Sequence, residues 1–454
     1  MYRDYRGERI IMNSKLTGKD YVLGVQHMFA MFGATVLVPL LTGLSVSTTL
    51  LMAGCGTLLF HAITGGKVPA FLGSSFAFLG GYAAVTQMGD GTINVEMLPY
   101  ASLGVVFAGL LYLVVALLFK VFDVKKVMRF FPPVVTGPMI IAIGLILAPT
   151  AIANSQTNWA IAIIAFATIV ICNIYGKGMM KIIPILIGVL VACAASVVFE
   201  LCGIAVFDPV KVEAFQNAAI FGFPIDMGMS VFAVKDSSMA VSAIIAIMPI
   251  AIASMMEHIG DISAISSTVG ENFIAEPGLH KTLLGDGLAT SLSALFGGPA
   301  NTTYGENTGV LALTKVYDPR VVRIAAYLAI VLSFSPKVAA FISMIPTAVI
   351  GGVSLILYGM ISAIGTRNLV ENKVDLAASR NIIVTATILV AALGFNSIGG
   401  VTFSVAGTSV TLTGLAMAAI LGIAMNAILP GKDFVFETDD VTGEGKAVNM
   451  KLPK

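Results

Sequence analysis

The segment PANTTYGENTGV, residues 299–310, decides the fold that we expect for this chain. It lies between two strongly apolar stretches, yet it carries a proline, two glycines, a row of amide and hydroxyl side chains and one carboxylate, Glu306. Proline and glycine interrupt regular helices. Irregular backbone at membrane depth is tolerated only where it is buried in protein or lines a cavity. We therefore predict an extended piece followed by a half-helix that begins inside the membrane.

The composition of the whole chain indicates a membrane protein. Of 454 residues, 57% are apolar and 11% are charged, and the mean hydropathy is +0.94, whereas about a quarter of the residues in a soluble domain are charged. Apolar runs of about 20 residues, the length that crosses the hydrocarbon core, recur along the chain. We predict an all-α polytopic protein with fourteen transmembrane segments and no separate soluble domain.

The distribution of basic residues predicts the orientation. With fourteen segments both termini lie on one side, and that side receives all but three of the 26 Lys and Arg residues. The other side receives Lys211, Lys235 and Lys337. Cytoplasmic loops of membrane proteins carry the excess of Lys and Arg. We therefore expect cytoplasmic termini in a multi-pass protein of the cell (inner or plasma) membrane.

An internal repeat relates the two halves of the chain. VPAFLGSSFAFLGG (68–81) aligns with GPANTTYGENTGVL (298–311), and one offset pairs Pro69 with Pro299, Phe76 with Glu306 and His27 with Glu257. FPPVVTGPMIIAIGLILA (131–148) aligns with IPTAVIGGVSLILYGMIS (345–362) at a different offset, which pairs Pro132 with Pro346 and Gly137 with Gly351. Seven segments per half would insert the second copy upside down, which is the inverted repeat of many transporters.

The repeat predicts where a ligand binds. Two short extended strands and two half-helices, segments 3 and 10, should meet at mid-membrane. Their N-termini would then aim free backbone N–H groups and positive dipole ends at one spot.

Three carboxylates are candidates for the chemistry at that spot. Glu257 lies within a predicted span, where an acidic residue costs about 2.5 to 3.5 kcal/mol at the helix centre and is by default functional. Asp261 follows one helical turn later on the same face, so the two acids can share a proton. Glu306 begins the second half-helix, where an acid also stabilises a helix terminus. Carboxylates accept and backbone N–H groups donate, so together they suit a ring with alternating N–H and C=O groups.

Other candidates have competing structural interpretations. Phe76 can lay its ring or its backbone N–H against a flat ligand, although membrane phenylalanines usually pack in the core or face lipid. His27 is either a proton relay or a buried structural histidine. His258 and His280 are interpreted as helix-face and loop residues. The cysteines lack CxxC spacing, and we expect neither a disulfide nor a metal site.

At these residues the sequence resembles the nucleobase–ascorbate transporter family (nucleobase:cation symporter-2), and within it the bacterial uracil permeases. ENTGVLALTK (306–315) fits the family signature through Glu306, Asn307, Gly309, Thr314 and Lys315. Further similarity lies in QHMFAMFGATVLVP (26–39), KVPAFLGSSFAF (67–78) and EHIGD (257–261). The resemblance implies a homodimeric proton symporter for a nucleobase, without a cofactor other than the coupling proton and without nucleic-acid binding.

The resemblance also implies roles for residues and domains. Substrate binding is expected at Glu257, Glu306, Phe76, Gly305, Ser75 and Tyr304, and proton coupling at Glu257, Asp261, Glu306 and His27. The implied divisions are an N-tail (1–19), the first stretch of a core domain (20–128, segments 1–4), the first stretch of a gate domain (129–206, segments 5–7), an extracytoplasmic loop (207–238), the second core stretch (239–345, segments 8–11), the second gate stretch (346–430, segments 12–14) and a C-tail (431–454).

One departure from the family pattern leaves alternatives open. The uracil permeases carry His four residues after the first glutamate, whereas this chain has Asp261 there, as purine members tend to have. At the position of Glu306, however, purine members usually have Gln. We expect uracil, with xanthine or urate as the alternative. An anion exchanger of the same fold is disfavoured because two acids would repel an anion. An intramembrane protease is disfavoured because LLGDG (283–287) lacks the required first glycine.

Overall fold

The computed structural model describes residues 2–3, 9–10, 16–86, 93–122, 126–127, 129–405 and 408–431. The helices are α1 Gly18–Thr42, α2 Val46–Ile63, α3 Leu79–Thr86, α4 Leu98–Val121, α5 Pro133–Gln156, α6 Trp159–Tyr175, α7 Met179–Ile182, α8 Pro184–Leu201, α9 Pro209–Asn217, α10 Ser237–Ile247, α11 Ala251–Val269, α12 Leu279–Leu295, α13 Gly305–Thr314, α14 Pro319–Ser333, α15 Pro336–Ser343, α16 Thr347–Glu371, α17 Ser379–Ser397 and α18 Gly414–Ile428. The strands are β1 Tyr2–Arg3, β2 Arg9–Ile10, β3 Leu72–Ser74, β4 Asn301–Thr303, β5 Val401–Val405 and β6 Thr408–Leu412. Most of both predicted tails lies outside the described residues.

The described residues are mostly helical, as expected. They contain eight helical stretches long and apolar enough to cross a membrane, one of which runs through α10 and α11 as Ser237–Val269. The bent pair α14 and α15, which turns by 91°, would make a ninth. Three shorter apolar helices are Phe76–Thr86, Trp159–Tyr175 and Gly414–Ile428. The polytopic character is therefore evident from length and composition.

A short antiparallel ladder joins the two halves of the chain. β3 pairs with β4 in the register Leu72↔Thr303, Gly73↔Thr302 and Ser74↔Asn301. The ladder extends at both ends, because Ser75 N donates to Ala300 O at 2.8 Å and Tyr304 N donates to Phe71 O at 3.0 Å. We call this paired segment the strand crossing (residues 71–75 and 300–304). Pairing supplies the backbone partners that non-helical chain needs when it is buried.

Side chains from the surrounding helices fix the strand crossing. Asn301 Nδ2 donates to Met52 O of α2 at 3.1 Å, and Thr290 Oγ1 of α12 donates to Asn301 O at 2.8 Å. Tyr304 OH donates to Ser74 O at 3.0 Å, across the two strands. Each of these two helices precedes one strand of the crossing in the sequence, so helices from both halves of the chain hold the crossing in place.

Gly73 is required at the strand crossing because a larger residue has no room. A Cβ atom at this position would lie 2.5 Å from Tyr304 Cζ and 2.8 Å from Thr35 Oγ1. We predict that Gly73→Val lowers the free energy of unfolding by about 2 kcal/mol through overpacking. Thermal unfolding in detergent measures this effect. Gly359→Ala is the control, since a Cβ there meets no atom within 4 Å; equal melting temperatures for the two variants would contradict the prediction.

Close helix pairs surround the crossing. α4 packs along α12, α2 packs along α14, and α5 packs along α16. At Gly109 of α4 a Cβ would lie 2.6 Å from Gly287 O of α12, so the two backbones touch. A second hairpin, β5 with β6, pairs Val401↔Leu412 through Val405↔Thr408. The sequence pattern did not predict this hairpin.

Candidate binding site

Each strand of the crossing leads directly into a helix, so a helix N-terminus follows the crossing at either end. Phe76 opens a 3₁₀ turn that continues as α3, and Gly305 opens α13. The residues before them, Ser75 and Tyr304, are extended, and neither side chain caps the helix that follows it. The first-turn N–H groups of a helix have no intrahelical partner. In this protein the two helix starts therefore offer backbone donors and positive dipole ends.

Three carboxylates lie at the start of α13. Thr303 Oγ1 of β4 donates to Asp261 Oδ2 of α11 at 2.8 Å, and a Cβ on Gly305 would lie 3.9 Å from Asp261 Oδ1. Glu257 lies one helical turn before Asp261 on α11, and α11 packs against α13, which carries Glu306 in its first turn. The structure thus brings together the three acids that the sequence identified. We call Glu257, Asp261 and Glu306 the acid cluster.

Glu257 has an unused acceptor. Its Oε2 atom is buried and has no hydrogen-bond partner among the residues that the structure describes. Gly305 is exposed, while Glu257, Asp261 and Glu306 are half-buried, so the cluster borders an open space. A buried carboxylate oxygen without a partner is costly. A donor from a ligand at this position would remove that cost.

The aromatic candidate Phe76 is buried beside the crossing. Its ring centroid lies 6.1 Å from that of Tyr358 of α16, with an angle of 72° between the planes. Ser75 Oγ is 3.3 Å from Ser254 Oγ of α11, the helix that carries Glu257. Phe76 therefore connects the first half-helix to α16, and Ser75 connects it to α11.

His27 lies next to the signature asparagine. Asn307 Nδ2 donates to His27 O at 3.2 Å and is 3.1 Å from His27 Nδ1. Both side chains are buried, and Asn307 Oδ1 has no partner within the described chain. This contact fits the supporting role expected for His27, because it fixes α13 against α1. Its role in proton coupling stays a prediction.

The other signature residues, Gly309, Thr314 and Lys315, lie within α13 or directly after its last turn. Gly309 is exposed, Thr314 Oγ1 donates to Val310 O at 2.8 Å, and Lys315 has a left-handed conformation with φ 55°. A left-handed residue just past the last turn commonly ends a helix. Thr314 and Lys315 thus set the length of the half-helix, since they lie at its end.

A buried pair behind the acid cluster was not predicted from the sequence. His258 Nδ1 lies 3.2 Å from Asp286 Oδ2 of α12, and both side chains are fully buried. The ring of Phe60 stands edge-on to His258 at 6.2 Å. α12, which carries Asp286, packs against α11, which carries Glu257. The sequence signal for this pair is the acid of LLGDG, which lies within an apolar, glycine-containing helix. As a protease motif LLGDG is incomplete, but a buried acid in such a helix needs a partner.

Comparison with known proteins is consistent with this architecture. The model of a permease family (Xan_ur_permease) matches residues 18–401. The uracil permease of Bacillus caldolyticus is 41% identical over 432 residues, covering 93% of this chain and 94% of the relative. The uracil permease of Bacillus subtilis (strain 168) is 40% identical over 423 residues, covering 89% and 91%.

Solved structures show the fold at lower identity. The transmembrane domain of the cyanobacterium bicarbonate transporter BicA has a TM-score of 0.63 at 17% identity, with 84% of this chain and 96% of that domain covered. SLC26A9 has a TM-score of 0.62 at 11% identity, with 90% and 64% covered. On the extent of the family match and the identity to its curated members, the chain belongs to the nucleobase–ascorbate transporter family and is similar to the bacterial uracil permeases.

Proposed function

We propose that this protein is a proton-coupled symporter that imports a nucleobase, with uracil as the substrate. The observation that carries the proposal is the position of the acid cluster at the start of α13, which has no side-chain cap. Within this cluster Glu257 Oε2 has no hydrogen-bond partner among the described residues and can accept a bond from a ligand. The relatives at about 40% identity are named uracil permeases, which favours uracil over xanthine or urate.

The chemistry of the site matches one edge of a pyrimidine base. Glu257 and Glu306 accept hydrogen bonds from ring N–H groups, and the backbone N–H groups at the helix starts donate to ring C=O groups. Hydrogen bonds to a charged acceptor are roughly twice as strong as neutral ones. The two rings of Phe76 and Tyr358 provide an apolar boundary for a flat ligand.

We propose fourteen segments arranged as a seven-plus-seven inverted repeat. Eight long helices, the bent pair and three shorter apolar helices supply twelve candidate segments among the described residues. α12 and α13 complete the set. β3 and β4, together with the half-helix after each, stand at equivalent positions in the two halves, which supports an axis through the strand crossing.

We propose that the segments form a core domain and a gate domain that move against each other. Helix packing supports this division: α2 with α14 and α4 with α12 lie within the core, and α5 with α16 and α17 with α18 lie within the gate. The site lies at their boundary, because Phe76 of the core contacts Tyr358 of the gate. Sliding of the core would carry the acid cluster past this boundary.

In this mechanism a proton and the base move together. Protonation of the Glu257 and Asp261 pair from outside, with Glu306 contributing, permits the base to bind, and both are released inside. One positive charge moving inward gains about 2.3 kcal/mol per 100 mV, which corresponds to roughly fiftyfold accumulation.

Uptake by the purified protein in proteoliposomes tests the proposal. We expect saturable uptake of labelled uracil that is driven by an inward proton gradient and abolished by a protonophore. Unlabelled uracil should compete better than xanthine, urate or thymine, and bicarbonate and sulfate should not compete. Uptake that persists in the presence of the protonophore would contradict proton coupling. Uptake that is inhibited by unlabelled xanthine but not by unlabelled uracil would contradict the uracil assignment.

A further inference from the structure

A large cavity lies along α3, the half-helix that follows Phe76. Its volume is about 430 Å³, within the range of ligand pockets. α3 forms one wall along its length, and residues of α5, α16 and the segments flanking the β5–β6 hairpin form the others. In the proposed topology α3 leads outward, so this cavity opens to the extracytoplasmic side. We call it the outer cavity.

A second, small cavity, which we call the throat, lies between the outer cavity and Phe76. The throat has a volume of about 10 Å³, is lined by Phe76 and shares five lining residues with the outer cavity. Two of the shared residues, Asn396 and Thr413, are polar. A volume of about 10 to 15 Å³ holds one water molecule. The throat therefore has room for about one water molecule and is too small for the ring of a ligand.

The groups at the throat can recognise the edge of a base. Asn396 is exposed at the C-terminal end of α17, and its amide both donates and accepts. Thr413 Oγ1 accepts from Ala416 N at 3.3 Å, which leaves its hydroxyl proton available to donate. The Tyr358 side chain forms part of the wall, and its ring is edge-on to Phe76. Neutral polar groups beside aromatic rings suit an uncharged planar ligand.

We propose that the outer cavity is a second binding site, in which Asn396 and Thr413 hold an uncharged planar ring with adjacent N–H and C=O groups before it passes Phe76. This inference rests on the proposed function, since it assigns the ligand class of the central site to the outer one. Among the described residues that line the outer site none is a carboxylate, and we expect this site to bind the base without the coupling proton.

Protection of a single cysteine tests the outer site directly. Asn396→Cys is placed in a chain whose four native cysteines are replaced by serine, and a membrane-impermeant thiol reagent is applied from outside. We expect labelling, and we expect saturating uracil to slow it at least fivefold. Ser397→Cys is the matched control, because Ser397 is exposed next to Asn396 but does not line the cavity; its labelling should not respond to uracil.

The same measurement in a Glu306→Gln background separates the two sites. Persistent protection of Asn396→Cys supports an outer site that fills independently of the acid cluster. Loss of protection in that background overturns the inference, because the cysteine would then only report events at the central site. Absence of protection in both backgrounds overturns it as well. Protection without any uracil uptake by the wild type would support the outer site while refuting the proposed function.

Transport kinetics provide a second readout if the cysteine variant folds poorly. We expect Asn396→Leu to raise the KM for external uracil about tenfold, while the equilibrium Kd for uracil in detergent changes less than twofold. A parallel rise in KM and Kd would place Asn396 at the central site and overturn the inference. An unchanged KM would also overturn it.

Discussion

Glu306→Gln should reduce uracil kcat/KM by about two orders of magnitude. The substitution keeps the shape of the side chain but removes its charge, and it presents a donor where the site needs an acceptor. Hydrogen bonds to charged groups contribute about 1.5 to 3 kcal/mol each, and about 2.8 kcal/mol corresponds to a hundredfold change. Uptake kinetics in proteoliposomes and equilibrium uracil binding in detergent measure the loss.

The matched control is Glu276→Gln in the loop between α11 and α12. Glu276 is exposed and forms an ion pair with Lys67, whose hydrogen bond lowers the pKa of that carboxyl group. Exposed ion pairs contribute little, so uptake should change less than twofold. Full uracil uptake by Glu306→Gln would remove Glu306 from the binding site.

Asp286→Asn should lower the free energy of unfolding by about 3 kcal/mol. The substitution leaves the buried His258 ring without its carboxylate partner, and removing one member of a buried charged or hydrogen-bonded pair costs roughly this amount. Asp286 lies on α12, which packs against α11, the helix that carries Glu257, so we expect uracil uptake to fall as well. A lower melting temperature in detergent and a lower uptake rate are the expected readouts.

A double-mutant cycle distinguishes the pair from general damage to the core. His258→Leu and Asp286→Leu together remove both polar partners, and such apolar replacements are often close to neutral for stability. We expect the double variant to be more stable than Asp286→Asn while remaining inactive in uptake. Additive losses from the two single substitutions would show that the contact is not energetically coupled.

The interrupted segments could be predicted from the sequence because their local chemistry is unambiguous. Proline, glycine and polar residues within apolar surroundings indicated an extended piece followed by a half-helix within 299–310, and the structure has β4 (Asn301–Thr303) and the start of α13 at Gly305 there. The same pattern indicated Glu257, Asp261 and Glu306, since acids are rare in membrane helices. The structure brings these residues together.

Other features depend on contacts that one sequence does not display. Residues 401–405 alternate apolar and hydroxyl side chains, which is a strand pattern, but the β5–β6 hairpin is short and lies between two apolar helical stretches, which dominate the sequence signal. The 91° turn between α14 and α15 follows from the break at 334–335, whose angle depends on packing. The pairing of His258 with Asp286 joins two helices through the core, and no local pattern specifies which buried acid meets which histidine.

The ladder between β3 and β4 has a consequence for biosynthesis. Leu72–Ser74 leaves the ribosome more than two hundred residues before its partner Asn301–Thr303. During that interval the backbone N–H and C=O groups that pair with β4 lack partners, which lipid does not supply. The first half must therefore wait near the insertion machinery or in contact with water. Ribosome stalling before residue 301 should leave residues 69–75 accessible to cleavage, and completion of the chain should protect them.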